Sequence, residues 1–323
     1  MSSPAYPLYV NDLGDGMQCA EIPAAANGCS MFSFFVDADH DTMQALVDKY
    51  LNTPAGGAVE YYVVGSAAIF TWSYTARDVS LVQQAGYSAN SENGIWIPVL
   101  ARSPSKAFED HIAYFVPYLF ITGCGGMITG REVWGFRKSL ATIQMPHTPD
   151  EPALFATTTD VIDPLDNEHG AHPEMVIQVR GAGKLVGLDA LVRDVREIGA
   201  MFMELFGKGS SHLPVGRLGL VIDFARMMRS HEVPIVNLKQ FRDAADTTRA
   251  CYQAIIESSM TAGTVHQGGL LAQDFLLDLP RYASHRIAGD LGITGVTDIP
   301  VRAAFYVNMD FVANAGEEVW RAS

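Results

Sequence analysis

The sequence predicts a mainly β, α+β fold: an antiparallel, barrel-like sheet with peripheral helices. Three observations carry this reading. Seven runs rich in β-branched and aromatic residues are bounded by Gly, Pro, Asn and Asp. These runs mostly follow one another with no helix between them, which favours an antiparallel sheet or barrel over a doubly wound parallel one. Only two segments place apolar residues at clear helical spacing.

In chain order, the first element is a helix. Asp41 can cap it, and Met43, Leu46, Val47, Tyr50 and Leu51 form one apolar stripe. Strands are expected over 59–74, 95–101 and 113–122. The stretch 113–128 is the most apolar in the chain, but it contains Pro117, Gly123, Gly125 and Gly126 and is short for a membrane span. It reads as a buried strand and a turn. A longer helix follows, with Leu188, Leu191, Val192, Val195, Ile198, Phe202, Leu205 and Phe206 on one face, Asp189 near its start, and Gly207 and Lys208 at its end. The remaining strands are expected over 217–224, 234–241, 249–257 and 301–312.

Composition excludes several classes of function. A net charge of −14 argues against nucleic-acid or anionic-membrane partners, since both need a positive surface. The first ten residues hold no basic residue and no apolar run, unlike a secretory signal. Four dispersed cysteines (Cys19, Cys29, Cys124, Cys251) fit free thiols in a reducing compartment, so a cytoplasmic location is expected. The sequence has no GxGxxG, GxxxxGK[ST], GxSxG or HExxH motif.

Several polar clusters invite a chemical reading, and each has a plainer one. His169 and His172, with Asp163, Asp166, Glu168 and Glu174 nearby, look superficially like metal ligands, but acidic His-containing loops are common on surfaces. No metal is expected. Ser210, Ser211 and His212 are sequence neighbours, which rarely form a catalytic triad. Cys124, between glycines, reads as a small buried residue at a tight turn.

Lysine usage is more informative. Of the six lysines, Lys49 and Lys208 read as solvated, whereas Lys138 follows Val133-Trp134-Gly135-Phe136-Arg137 and precedes Ser139-Leu140-Ala141. An amine among such neighbours is partly removed from water. That matters because only a neutral amine attacks a ketone, and an ordinary lysine is neutral only about one time in a thousand at physiological pH. Composition alone still favours a lysine that snorkels from a strand edge to solvent.

The segment from Gly130 through Arg131, Glu132, Trp134, Gly135, Phe136 and Lys138 to Ala141 resembles the signature of the acetoacetate decarboxylase family, roughly G-R-E-x-x-G-[FY]-P-K-K-L-[AG]. Upstream, Glu92-Asn93-Gly94 through Pro98-Val99 is similar to the family's E-x-G-x-x-x-P-V stretch, and Pro300-Val301-Arg302 through Trp320 fits its last strand as a pattern. The resemblance implies one acetoacetate decarboxylase-like domain over 1–323, lengthened mainly in 147–233. It implies a β-barrel-like fold, a homo-oligomer, and a small keto acid as substrate with no cofactor. It also implies that Lys138 forms a Schiff base, with Glu92 beside it as acid/base group. Arg131, Trp134, Arg137 and Ser139 are the expected substrate-binding residues.

The chain departs from the family at telling places. Ser139 stands where the family has its second lysine, and Arg137 replaces a proline. Arg137 could supply the missing positive charge, but adjacent side chains of a strand face opposite ways. No Lys or Arg precedes Lys49, so the family's early substrate-binding arginine has no counterpart. Three readings follow: decarboxylation of a β-keto acid larger or less charged than acetoacetate, aldol condensation with dehydration through the same lysine, or a non-catalytic barrel binding an apolar ligand.

Overall fold

The computed structural model describes residues 6–10, 20–83, 86–147, 151–185 and 231–322. Most of these residues lie in strands. Seven strands hydrogen-bond side by side into a closed ring: β1 (Ala24–Asp37), β3 (Ala67–Ser80), β4 (Ser88–Arg102), β5 (His111–Ile121), β10 (Glu232–Arg242), β11 (Ala250–Leu270) and β13 (Ile299–Ala313). The ring closes because β13 pairs with β1 on one edge and with β11 on the other. Every contact in it is antiparallel except β5 with β10, which run parallel and pair only through Tyr114 with Ile235 and Phe115 with Val236. The expected antiparallel barrel is therefore closed through one short parallel seam.

Further strands extend this ring. β2 (Glu60–Val63) joins β4, and β14 (Glu317–Arg321) joins β11. A side sheet grows from the start of β13, in the order β12 (Phe275–Asp278), β9 (His172–Lys184), β8 (Pro152–Val161) and β7 (Thr142–Gln144). The main core forms between ring and side sheet. Phe155 of β8 lies 4.9 Å from Phe32, 4.8 Å from Phe34 and 5.7 Å from Trp72, ring centre to ring centre. These fully buried rings meet in tilted and edge-to-face arrangements, which aromatic pairs prefer over flat stacking.

Helices are peripheral, as expected. α1 (His40–Val47) continues through a π-helical turn (Asp48–Asn52) into α2 (Thr53–Ala55) and buries Met43, Leu46, Val47 and Leu51. Its cap is Asp39, not Asp41: Asp39 Oδ1 accepts the Thr42 amide at 2.8 Å, while Asp41 lies within the first turn. α3 (Cys124–Val133) follows β5 where only a turn was expected, and α4 (Ile287–Asp290) is one short turn. Cys124 is exposed at the start of α3, not buried.

The expected strand over 59–74 is two strands, split at 64–66 by a turn containing Gly65 at φ +82°. His172 and Glu174, expected in a loop, begin β9. The expected helix over 188–208 and strand over 217–224 lie outside the described residues, as do Ser210, Ser211 and His212. Among the described residues no helix is long and apolar enough to cross a membrane, and no group of three or more His, Cys, Asp or Glu could hold a metal ion. His169 instead pairs with Asp166 at 2.7 Å.

Candidate active site

The site forms where β10 leaves the edge of β5. Beyond Phe115 that edge would be unpaired, and β6 (Lys138–Leu140) takes the place of β10, running parallel with Leu119–Ile121 and opposing Lys138 to Leu119. Backbone groups left at such an edge need partners, so a three-residue strand suffices to hold the segment in place. The turn from α3 into β6 is held against β10 by Gly135. Its φ of +76° suits glycine, and a Cβ there would lie 2.6 Å from the Lys239 Cα.

Alternation along β6 then decides what faces inward. Lys138 is buried, with 7% of its surface exposed, while Arg137 and Ser139 on either side are exposed. The Lys138 amine lies 2.5 Å from Glu92 Oε1 and 5.5 Å from the Phe136 ring centre. Glu92 comes from β4, where it opposes Ser73 on one side and Ile121 on the other. Residues 46 apart in sequence are thus brought together by two neighbours of β5.

Both groups line a cavity of about 330 Å³, a volume suited to a small ligand. Its apolar wall includes Met31, Trp96, Leu119, Trp134, Phe136 and Ile235, and its polar wall includes Thr71, Ser73, Thr75, Asn90, Ser258 and Ser259. Lys138 is the only lysine or arginine among the described lining residues; the acids are Glu92 and Asp78. Burial and the nearby Glu92 push the Asp78 carboxyl above its usual range, against the opposing pull of Lys138 and the hydrogen bond from Asn90. Behind the wall, burial pushes the Cys29 thiol up to about 11, which leaves it protonated and unreactive at neutral pH.

Of the four expected substrate-binding residues, only Trp134 lines the cavity. Its indole N–H donates to the Asn314 carbonyl at 2.9 Å, so it offers the cavity an apolar face. Arg137 points the other way, its guanidinium 4.4 Å from the Tyr50 ring centre and 5.7 Å from that of Tyr118. Arg131 donates to the Lys138 carbonyl at 3.2 Å and so ties α3 to β6. None of Arg131, Arg137 and Ser139 reaches the cavity.

Asp78 has no motif around it to mark it. Along β3 the inward residues are Thr71, Ser73 and Thr75, and strict alternation would next turn Arg77 inward. One extra residue intervenes: Thr75 opposes Asn90, but Asp78 opposes Ser88. This β-bulge shifts the alternation, so Asp78 and Ser80 face the cavity while Arg77 is exposed, 4.7 Å from the Tyr87 ring centre.

Gly130 is the floor on which Lys138 lies. A Cβ at this position would fall 2.6 Å from Lys138 Cε, 2.7 Å from Cδ and 3.0 Å from Nζ. The flexible lysine, not the backbone, would give way. Gly130→Ala is therefore expected to keep or raise the melting temperature, since alanine is the better helix former by about 1 kcal/mol. Displacing the amine by an ångström should nevertheless lower its reaction with a ketone by about 10²-fold. Equal reactivity of this variant and the wild type would show that the lysine needs no such seat.

No protein-family model matches the sequence, and no curated protein matches it. Solved structures do. An acetoacetate decarboxylase from Legionella pneumophila superposes over 100% of this chain and 93% of its own, with a TM-score of 0.59 and 16% identity. A second acetoacetate decarboxylase structure covers 93% of this chain and 91% of its own, with a TM-score of 0.57 and 13% identity. The enduracididine biosynthesis enzyme MppR, complexed with pyruvate, covers 95% and 93%, with a TM-score of 0.55 and 13% identity. Ring, side sheet and peripheral helices together are the acetoacetate decarboxylase fold, and this chain has that fold.

Proposed function

We propose that the protein is a lyase that decarboxylates a β-keto acid through an imine on Lys138. The observation that carries this is a buried amine 2.5 Å from a carboxylate at the wall of a largely apolar cavity. Glu92 takes a proton from the ammonium, and the free amine adds to the ketone carbon. Loss of water gives a protonated imine. The bond to the carboxylate then breaks, its electron pair moves into the iminium, and carbon dioxide leaves. The enamine carbon is protonated, with Glu92 as the acid in reach, and water hydrolyses the imine to release the ketone and the amine.

The wall composition favours carbon dioxide loss over the aldol route. Apart from the lysine that becomes the imine, a carboxylate in this cavity meets apolar and neutral polar groups and two acids, with no arginine among the described lining residues to hold it. A carboxylate that is desolvated and unpaired is destabilised in the ground state, and its loss relieves that cost. Condensation would instead have to hold a substrate carboxylate through the whole reaction. An MppR structure complexed with the condensation product of pyruvate and imidazole 4-carboxaldehyde keeps the aldol reading as the second choice.

Borohydride trapping decides between these readings. Incubation with a β-keto acid and borohydride should add the mass of the reduced ketone to the peptide containing Lys138, with release of carbon dioxide. A condensed adduct without carbon dioxide would favour the aldol route. Absence of any adduct over a range of keto acids and pH would leave only a binding protein.

A further inference from the structure

We propose that the end of the cavity around Asp78 is a subsite for a cationic group, so that the keto acid taken by Lys138 carries a positive charge at its far end. The inference rests on the imine reading above for the ketone end, and it specifies the substrate class.

A largely buried carboxylate without a cation is costly and calls for a partner. Among the described residues Asp78 makes no ion pair. Its one hydrogen bond is a long one, 3.3 Å from Asn90 Nδ2. The same amide also donates to Ser88 Oγ at 3.0 Å, and Asn90 Oδ1 fills the space that a Cβ at Gly123, just ahead of α3, would take. Lys138 is committed to Glu92 and becomes part of the imine during turnover. Arg77, adjacent in the chain, is exposed and does not line the cavity; its guanidinium lies 4.7 Å from the ring centre of Tyr87, a residue at the cavity's rim.

The surroundings suit a cation and repel an anion. Two acids face the cavity against one lysine, and Thr75, Ser80 and Ser88, on the same two strands as Asp78 and Asn90, add hydroxyl oxygens to the lining. Burial and Glu92 both raise the proton affinity of Asp78, and an arriving cation offsets both. A second carboxylate on the substrate would meet only like charge.

The test uses three chain-matched 3-oxo acids that end in trimethylammonium, tert-butyl or carboxylate. The first two are close in shape and differ in charge. Carbon dioxide release gives kcat/KM, and calorimetry on the corresponding 3-hydroxy acids gives binding without any imine. The trimethylammonium compounds should be preferred over tert-butyl by about tenfold or more in both assays, and the carboxylate compounds should be the poorest. In Asp78→Asn the ratio of trimethylammonium to tert-butyl should fall to near one. Equal use of the two in wild type, a preference for carboxylate, or a preference that survives Asp78→Asn would each overturn the subsite. The two readings fail separately. Charge selectivity in the hydroxy acids without any borohydride adduct on Lys138 would keep the subsite and remove the imine; adducts of equal yield whatever the tip would do the reverse.

Discussion

Replacing Lys138 with alanine is expected to remove turnover of any keto acid, with a loss of at least about 10⁴-fold in kcat and no borohydride adduct, the scale on which loss of a covalent nucleophile is felt. The reasoning is geometric. Lys138 is the only lysine among the described residues lining the cavity, so no second amine can take over. Alanine also leaves Glu92 without its 2.5 Å partner, and a loss of folding could be mistaken for a loss of chemistry. Lys138→Arg guards against that. A guanidinium keeps a positive charge beside Glu92 yet does not form a stable imine with a ketone. Both variants should melt cooperatively and be inactive. Normal turnover by either would end the covalent account.

The next largest effect is expected for Glu92→Gln. The amide keeps the shape of the side chain and can still hydrogen-bond the lysine, but it neither accepts the ammonium proton nor returns one to the enamine. General acid–base assistance of this kind contributes about 10²–10⁴-fold, so kcat should fall by roughly 10³-fold. Trapping should be slowed but not lost, because the nucleophile remains. The diagnostic measurement is deuterium exchange at the α-carbon of the product ketone, which runs through the same enamine and should fall in parallel with turnover. If exchange stays fast while decarboxylation slows, the proton is delivered by another group.

Much of this was legible in the sequence. Runs rich in β-branched and aromatic residues, separated by turn residues, gave the β class, and the strands over 95–101 and 234–241 lie inside β4 and β10. Glu92 and Lys138 were legible as a site only through their resemblance to family motifs; unaided, Lys138 had the plain reading of a lysine that snorkels to solvent. Periodicity could not place the ends of strands. β3 runs past 74 to Ser80, and β11 runs to Leu270, because tertiary pairing carries polar residues that propensity would assign to loops. The side-sheet strands β8 and β9 were missed for the same reason: their Thr, Asp and Glu content looks loop-like until partners are known. Arg131, Arg137 and Ser139 were expected at the substrate because they stand inside the segment that resembles the family's signature, and such a segment fixes order along the chain but not the direction of each side chain. Alternation sends Arg137 and Ser139 to the opposite face.

The bulge between Thr75 and Asp78 has a consequence beyond its local geometry. Arg77 and Asp78 are adjacent and opposite in sign, and a single residue of phase decides which of them the bound molecule meets. Charge preference is thus written in the spacing of the backbone as much as in the choice of side chain. Were the same residues to run on from Thr75 with no bulge, Arg77 would face the cavity in place of Asp78, an exchange of base for acid without substituting either of them. A relative with the same pair of residues but an unbroken strand would be expected to favour the opposite class of ligand.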